Sequence, residues 1–583
     1  MNLHRYDSAT KEVVTLIQCP NPSFANPQLW PFATFPEDLV GAHAVGVAGG
    51  DYSDAAVGLD VVSPAGADRS VVLALTVDGR TLKQETTLKP GANRIAFPTQ
   101  LTDPKVAVEI LEGGERLSNQ ICILVKRDPV TLLGRLSFYM EEAEAPFRIT
   151  TRVADPEALT AVLSCGQVVA KRKAEAKFQM ALPLQDIPEG EHRATLALVD
   201  ADGKTVAQTS APLVKRAFKA GAAQVNHFSR SLMHDGKPVV PYAPFMVVLG
   251  KWGTTTEHLD AYADLLQKYG FRFVHILFQS NDPATMEKEN ALTRHFLDAT
   301  DARGIKVILW SKYSDYTDEA CAQTRRALNA PNVITQMVLD EPELGWPSDK
   351  TRDFLRKMRP FFPYHPTQMN NTVLGVPARH GNLETDILML DDYLTNTENR
   401  TVESVVEHAD VMWQAGAAEG KPCWYFIVGN NTSLHYREPT YREQIAQTYG
   451  NIAAGCTGFS LFYGWPGTHG NWKAYLQLNR ELLALTDVLT TEEETASASA
   501  TGDPGLLRHI TKLHDGHLHV IACNIDAQDA GDVTFTLPPG LRTADEAEVL
   551  FEDRKVAVEN GRFIDAFPGH ERHVYRIRLA GAK

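Results

Sequence analysis

The chain has 583 residues, too many for a single hydrophobic core, so we expect several domains. Hydrophobic residues make up 44% of it and charged residues 22%, which is ordinary for a globular protein. The net charge of −15 argues against a general nucleic-acid binder, whose surface must be basic. No apolar run reaches the roughly 18 residues that a membrane-spanning helix needs, so no membrane span is expected.

The seven cysteines include no Cys-x-x-Cys pair, and most lie within apolar runs. This pattern is typical of buried small side chains rather than of a disulfide framework or a zinc site. No metal and no organic cofactor is expected, because His and Cys residues lack metal-ligand spacing and no Gly-rich phosphate loop follows a strand. The first residues lack the apolar core of a signal peptide. We therefore expect either a cytoplasmic protein or a periplasmic or secreted one whose leader has been removed.

Short runs of alternating apolar and polar residues fill both ends of the chain. Turn signals such as Asp78-Gly79 and Pro90-Gly91 separate these runs. They predict two N-terminal β-sandwiches, residues 1–130 and an immunoglobulin-like one at 131–218, and a C-terminal β-sandwich at 490–583. Their role stays open between inert support and carbohydrate binding.

Strand-like and helix-like segments alternate between residues 226 and 489. The predicted strands are 239–249, 272–279, 306–310, 333–339, 367–374, 386–390, 423–428 and 458–463. The predicted helices are 257–270, 291–303, 318–328, 350–359, 402–418, 441–454 and 472–488, and several end at glycine, as at Gly270, Gly304, Gly420 and Gly455. Eight strands in this order predict a multidomain chain with a central (β/α)8 TIM barrel. An open doubly wound sheet is the alternative, but the Gly-rich turn of that fold is missing.

The end of the fourth predicted strand carries the most informative residues. An apolar run from Val333 stops at Asp340 and Glu341, and Pro342 ends the strand because it cannot donate to a ladder. Reacting groups of TIM barrels lie at these carboxyl ends. The other strand ends supply two further candidate carboxylates, Asp391 and Asp392, and candidate substrate-binding residues: Gln279, Trp310, Tyr313, Asn370, Asn371, Tyr393, Tyr425, Asn430, Tyr463, Trp465 and His469.

These strand ends are rich in aromatic, amide and carboxylate side chains. Aromatic rings stack on the C–H faces of sugars, and amides and carboxylates bind hydroxyl groups. Glycoside hydrolysis needs an acid for the leaving oxygen and a second group at the anomeric carbon. Each aromatic residue taken alone is more often barrel packing, but the set as a whole favours a sugar site.

Residues 226–489 resemble the catalytic barrel of clan A glycoside hydrolases. Three features carry the resemblance: the triplet Asp340-Glu341-Pro342, similar to the Asn-Glu-Pro of that clan, the segment that begins at Leu232, and Trp465 after strand eight. The resemblance covers under half of the chain. It implies a glycosidase with Glu341 as general acid/base and an oligosaccharide or glycoconjugate as substrate.

The seventh strand departs from the clan, because no carboxylate follows Tyr425 at its end. Three alternatives stay open. Asp340 and Glu341 are similar to the Asp-Glu dyad of substrate-assisted N-acetylhexosaminidases such as glycoside hydrolase family 123, in which the aspartate assists a 2-acetamido group. In the second alternative Asp391 or Asp392 is the second carboxylate. In the third the barrel binds glycans without catalysis.

Overall fold

The computed structural model describes most of the chain. The described residues are 2–7, 12–18, 45–52, 56–63, 68–89, 91–101, 105–123, 125–126, 128–248, 254–278, 283–311, 330–372, 385–394, 401–429, 438–462, 465–503 and 506–580. Two compact units are present, one of residues 1–131, 150–159 and 174–176, the other of residues 132–149, 160–173 and 177–583. The four domain boundaries predicted from the sequence stay predictions.

The first unit is built from β-strands. They are β1 (Asn2–Asp7), β2 (Glu12–Gln18), β3 (Gly46–Tyr52), β4 (Val57–Ser63), β5 (Arg69–Val77), β6 (Arg80–Leu88), β7 (Gly91–Phe97), β8 (Lys105–Glu112), β9 (Glu115–Ile123) and β10 (Val125–Lys126). Two four-stranded sheets, in the orders β10-β3-β4-β7 and β6-β5-β8-β9, supply the buried residues of one core, which contains Leu59, Leu73 and Ile110. Alternate residues of β5 are buried, as expected of a sheet with one face on a core.

A second set of strands follows. It comprises β11 (Val130–Gly134), β12 (Glu144–Thr151), β13 (Thr160–Cys165), β14 (Val168–Lys173), β15 (Lys177–Pro183), β16 (Gly190–Val199), β17 (Thr205–Lys215), β18 (Ala223–Asn226), β19 (Ser231–His234) and β20 (Lys237–Val239). They form sheets in the orders β11-β12-β15, β14-β13-β16-β17 and β18-β19-β20. A 3-10 helix at Pro156–Ala158 precedes β13.

The central part of the second unit is a closed barrel of eight parallel strands. Its strands are β21 (Tyr242–Val248), β22 (Phe273–Phe278), β23 (Lys306–Ser311), β24 (Val333–Asp340), β25 (Thr367–Thr372), β26 (Ile387–Asp391), β27 (Cys423–Val428) and β28 (Gly458–Phe462). The described helices between and after them are α1 (Thr256–Lys268), α2 (Pro283–Asp301), α3 (Ser348–Met358), α4 (Val402–Ala415), α5 (Tyr441–Ala453) and α6 (His469–Leu489). Short 3-10 helices lie at Pro342–Leu344 and Arg359–Phe361.

The barrel confirms the fold class predicted from the sequence. Its strands are buried on both faces, as parallel strands covered by helices must be, which explains their continuous apolar runs. Gly270, Gly304, Gly420 and Gly455 all have positive φ after their helices, as their positions in the sequence suggested. The helix predicted at 291–303 begins earlier, at Pro283, and the one predicted at 318–328 lies outside the described residues.

Strand pairing fixes which side chains enter the barrel. His275, Ile308 and Thr335 share one register level, and neighbours at one level of a parallel sheet point to the same face. The His275 ring stacks on Phe426 and meets Phe245 edge-on. That face is therefore the barrel interior. Because successive side chains of a strand point to opposite faces, this also fixes which other residues of each strand point inward.

The C-terminal residues form two antiparallel sheets. Their strands are β29 (Ser499–Ala500), β30 (Leu507–His514), β31 (His517–Asn524), β32 (Gly531–Thr536), β33 (Thr543–Val549), β34 (Arg554–Ala557), β35 (Arg562–Phe567) and β36 (Arg572–Leu579). Phe535, Phe563 and Tyr575 are central to the core between the sheets. Among the described residues, no helix of the chain combines the length and the apolar character needed to cross a membrane.

Candidate functional site

The end of β24 departs from regular strand geometry. The register with β25 shifts between Met337 and Leu339, so one residue is added to β24 there. After this bulge Asp340 lies opposite Asn370, and Asn370 Nδ2 donates to Asp340 Oδ1 at 3.0 Å. The bulge therefore turns the Asp340 carboxyl toward the barrel interior.

Glu341 has a left-handed backbone, with φ 44° and ψ 48°. For a non-glycine residue this conformation costs about 1–2 kcal/mol, and the following proline favours extended geometry instead. The Glu341 amide nevertheless donates to the Asn370 carbonyl at 2.9 Å. Regular alternation would send Asp340 and Glu341 to opposite faces, but the bulge and the left-handed residue bring both toward one place. Strain of this kind is concentrated at functional sites.

Three carboxyl groups and one amide meet at this end of the barrel. The Asp391 carboxyl, from the last residue of β26, lies close enough to the side chains of Glu341, Asp340 and Asn370 for all three to influence its charge. We call Asp340, Glu341, Asn370 and Asp391 the carboxyl cluster. Its members come from three consecutive strands, so only the closed barrel assembles it.

The cluster is electrostatically unfavourable unless it holds a proton. Burial, followed by the neighbouring carboxyls of Glu341 and Asp340, holds the pKa of Asp391 well above its usual range, and the hydrogen bond from Asn370 opposes this only in part. The raised pKa assigns a proton to Asp391, and a protonated Asp391 relieves the repulsion among these carboxyls.

One aromatic residue contacts the carboxyl cluster directly. Tyr393 donates its hydroxyl to Asp391 Oδ2 at 3.2 Å, and its ring stacks on Phe462 with the centroids 5.0 Å apart. Elsewhere in the barrel interior Trp310 packs on Phe245, and Phe462 meets Phe426 edge-on. Apolar surroundings of this kind exclude water and raise the pKa of a buried carboxyl.

A neutral histidine lies within the barrel interior. The His275 Nδ1 is 2.8 Å from Ser460 Oγ, and burial lowers the pKa of His275 to about 3. The ring is therefore uncharged at neutral pH and does not offset the negative charge of the carboxyl cluster. Its role is to pack against Phe426 and Phe245.

A fourth carboxyl, that of Glu343, lies beside the cluster. The pKa of Glu343 is raised to about 7, and burial is the main cause. Hydrogen bonds with backbone amides and with Thr372 oppose this rise, and the nearby Glu341 carboxyl adds to it. Glu343 Oε1 accepts a hydrogen bond from the Thr372 amide. Sequence reasoning missed this residue as a site candidate, although it directly follows the Glu341-Pro342 pair.

Several predicted site residues lie away from the cluster. Asp392 is fully buried, but its Oδ2 is 2.7 Å from His408 Nδ1 on α4. Asn371 donates to the backbone carbonyls of Met369 and Met389. Tyr425 donates its hydroxyl to the Val405 carbonyl on α4. The orientation of all three side chains follows from the alternation of faces along a strand. Each is the sequence neighbour of an inward-facing residue, so it points outward to the helices.

Two predicted residues after β28 also lie elsewhere. Trp465 stacks on Trp472 of α6 at 5.0 Å and contacts Tyr262 and Phe271, so it contributes to packing rather than to a sugar platform. His469 is exposed at the first residue of α6. The remaining candidates, Gln279, Tyr313, Asn430 and Tyr463, lie outside the described residues.

Phe245, Phe426 and Phe462 were not expected near the site. Their orientation follows from strand pairing, because each lies opposite an inward-facing residue of the neighbouring strand: His275, Asp391 or Val428. Such pairing can be predicted only when the strand boundaries are known, because a shift of one residue moves every side chain to the other face of the sheet.

Comparison with known proteins gives only distant likenesses. No family model matches the chain, and no curated protein matches its sequence. Similar solved structures include a candidate α-galactosidase/melibiase from Bacteroides fragilis (TM-score 0.44, 13% identity, 76% of this chain and 98% of that one). Another is a family 5 glycoside hydrolase from Bacteroides vulgatus (TM-score 0.40, 13% identity, 62% of this chain and 94% of that one). A third is a family 39 glycoside hydrolase from Bacteroides cellulosilyticus (TM-score 0.33, 11% identity, 77% of this chain and 98% of that one). At these TM-scores the likenesses carry no argument about function.

Proposed function

We propose that this protein is a glycoside hydrolase, with Glu341 as the general acid/base and an oligosaccharide or glycoconjugate as substrate. The carboxyl cluster at the carboxyl end of a (β/α)8 barrel is the observation that supports this most directly. Of the predicted substrate-binding aromatic residues, Tyr393 contacts this cluster through its hydroxyl. Barrel folds serve many chemistries, so the proposal depends on the site and not on the fold.

Glu341 is the best candidate for the acid. A general acid must hold a proton and release it to the leaving oxygen in the transition state. Glu341 and Asp391 are both half-buried, and the raised pKa of Asp391 keeps a protonated carboxyl beside Glu341.

Asp340 is the favoured second group, in a substrate-assisted reaction on a 2-acetamido sugar. A nucleophile needs an ionised and accessible oxygen, and the raised pKa and burial of Asp391 oppose both. Asp340 instead accepts from Asn370 through Oδ1, and we assign its carboxylate to the C2 substituent of the sugar.

Asp391 as the second carboxylate stays an alternative, because a bound sugar could separate it from Glu341. Asp392 supports this alternative less, since its carboxyl is committed to His408. A noncatalytic glycan-binding barrel is the remaining alternative. It gives no account of why three carboxyls are held together at an energetic cost.

The test is hydrolysis of aryl glycosides in matched pairs that differ only in a 2-hydroxy or a 2-acetamido group. Substrate-assisted catalysis predicts activity on the 2-acetamido member of a pair and little on its 2-hydroxy partner. Equal activity on both would remove Asp340 from the proposed role. Binding of glycans without turnover of any aryl glycoside would support the noncatalytic alternative.

A further inference from the structure

We infer that Glu343 is a positioning residue of this site: its carboxyl replaces the backbone acceptor that β24 loses at Pro342 and so holds Glu341 in place. The inference rests on the proposed function, since it assigns to Glu343 a role in support of the acid/base. It concerns a residue that does not itself have to touch the substrate.

The pairing of β24 and β25 shows the replacement. In a parallel ladder a residue donates to one carbonyl of its neighbour strand and accepts from the amide two residues further along. Glu341 donates to the Asn370 carbonyl at 2.9 Å, so its own carbonyl would accept from Thr372. That carbonyl instead accepts from Leu344 at 3.2 Å, because the chain has entered the 3-10 helix Pro342–Leu344.

The Thr372 amide donates to Glu343 Oε1 in place of the lost carbonyl. The Thr372 side chain also hydrogen-bonds the Glu343 carboxyl. Thr372 lies opposite Asp391 in the register of β25 and β26. One carboxyl therefore ties the segment that carries Glu341 to the position of β25 that lies opposite Asp391.

The charge of Glu343 adds an electrostatic effect to this contact. Its nearest titratable neighbour is Glu341 on the same segment, and Glu341 in turn faces Asp391 and Asp340 at the ends of β26 and β24. Repulsion from the Glu341 carboxyl contributes to the raised pKa of Glu343. Glu343→Gln keeps an acceptor for Thr372 but removes this repulsion, whereas Glu343→Ala removes both.

The experiment compares wild type, Glu343→Gln and Glu343→Ala on an aryl glycoside that the wild type hydrolyses. The exposed Asp353→Asn on α3 is the control for loss of a carboxylate. Glu343→Ala should lower kcat roughly ten- to a hundredfold, the effect expected of a misplaced acid, with KM nearly unchanged. Glu343→Gln should restore most of kcat, because the side-chain amide oxygen can still accept from the Thr372 amide.

A kcat of Glu343→Ala equal to that of wild type would overturn the inference, as would a Gln variant no better than the Ala variant. Hydrogen exchange keeps the inference testable without any substrate. Exchange at the Thr372 amide should speed up in Glu343→Ala but not in Glu343→Gln, and equal exchange in all variants would also overturn it. If the wild type hydrolyses no glycoside while Thr372 exchange follows this pattern, the proposed function fails and the contact stands.

Discussion

The carboxyl of Asp391 interacts with that of Glu341 although the two residues lie at the ends of β26 and β24, with β25 between those strands. They come together because a bulge and a left-handed residue displace the end of β24 toward the barrel interior. Asn370 on the intervening strand donates its side-chain amide to Asp340, and its carbonyl accepts from the Glu341 amide. A buried carboxyl with a raised pKa beside two others is the property that the first predictions test.

Replacing Glu341 should test its role as acid directly. Glu341→Gln retains the size and polarity of the side chain but cannot protonate a leaving oxygen. Turnover should fall by at least about a hundredfold on substrates with poor leaving groups, and less on activated aryl glycosides. Steady-state kinetics on both substrate types, with Asp353→Asn as control, measure this. Nearly normal turnover of the poor substrate would exclude Glu341 from the mechanism.

Asp391→Asn should change how stability depends on pH. The pKa of Asp391 is raised in the folded protein, so between its ordinary range and that raised value the folded state binds a proton that the unfolded state has lost. The free energy of unfolding therefore falls as pH rises through this window. Asparagine does not titrate, so the Tm of the variant relative to wild type should increase as the pH rises above the ordinary pKa range of an aspartate.

Thermal melts at a series of pH values measure this difference. The exposed Asp353→Asn is the control, and its Tm should follow that of wild type at each pH. A Tm difference for Asp391→Asn that is constant or decreases with pH would show that the buried carboxyl is ionised in the folded protein, which would restore it as a candidate nucleophile.

Part of this arrangement could be predicted from the sequence. The barrel follows from apolar runs of strand length, helices that end at glycine, and their strict alternation, and those patterns depend only on burial. The position of Asp340 and Glu341 follows from the proline after them. Their convergence does not follow, because the bulge between Met337 and Leu339 has no residue signature and Glu341 is not a residue type that favours positive φ.

The choice between Asp391 and Asp392 shows the same limit. They are neighbours in sequence, so one side chain faces the barrel interior and the other faces the helices. The sequence of the strand end does not say which of the two faces inward. The pairing of Asp391 with Phe426 decides it. Trp465 illustrates a second limit: an aromatic residue after a strand fits a sugar platform and a contact with Trp472 equally well until the packing is known.

Asp392→Asn should therefore affect stability and leave turnover unchanged. The side chain of Asp392 is fully buried, and it accepts from His408 at 2.7 Å. Weakening a hydrogen bond to a charged group costs about 1.5–3 kcal/mol, which should lower the Tm by several degrees while kcat stays within about twofold of wild type. Loss of turnover at unchanged Tm would assign Asp392 to the reaction instead.

Tyr393→Phe should separate the hydroxyl of Tyr393 from its ring. Phenylalanine keeps the stacking on Phe462 but removes the donor to Asp391 Oδ2. We expect a loss of about 0.5–1.5 kcal/mol in the free energy of unfolding, measured by urea titration. In a double-mutant cycle with Asp391→Asn the two losses should not add, since the residues share one hydrogen bond. Full additivity would show that this hydrogen bond does not contribute to stability.

Asp340→Asn tests substrate-assisted catalysis. In that mechanism the acetamido oxygen attacks the anomeric carbon, and the Asp340 carboxylate stabilises the positive charge that develops on the ring so formed. A neutral amide keeps the hydrogen-bonding position beside Asn370 but not the charge. The variant should lose about a hundredfold or more in kcat on a 2-acetamido aryl glycoside, the scale of removing one transition-state electrostatic contact. A thiazoline mimic of the intermediate should inhibit wild type strongly and the variant weakly.

The competing mechanism predicts a covalent sugar on Asp391 when a 2-fluoro glycoside is used, detected by mass spectrometry of peptides. That adduct, together with indifference of the wild type to the thiazoline, would replace Asp340 by Asp391 as the second catalytic group.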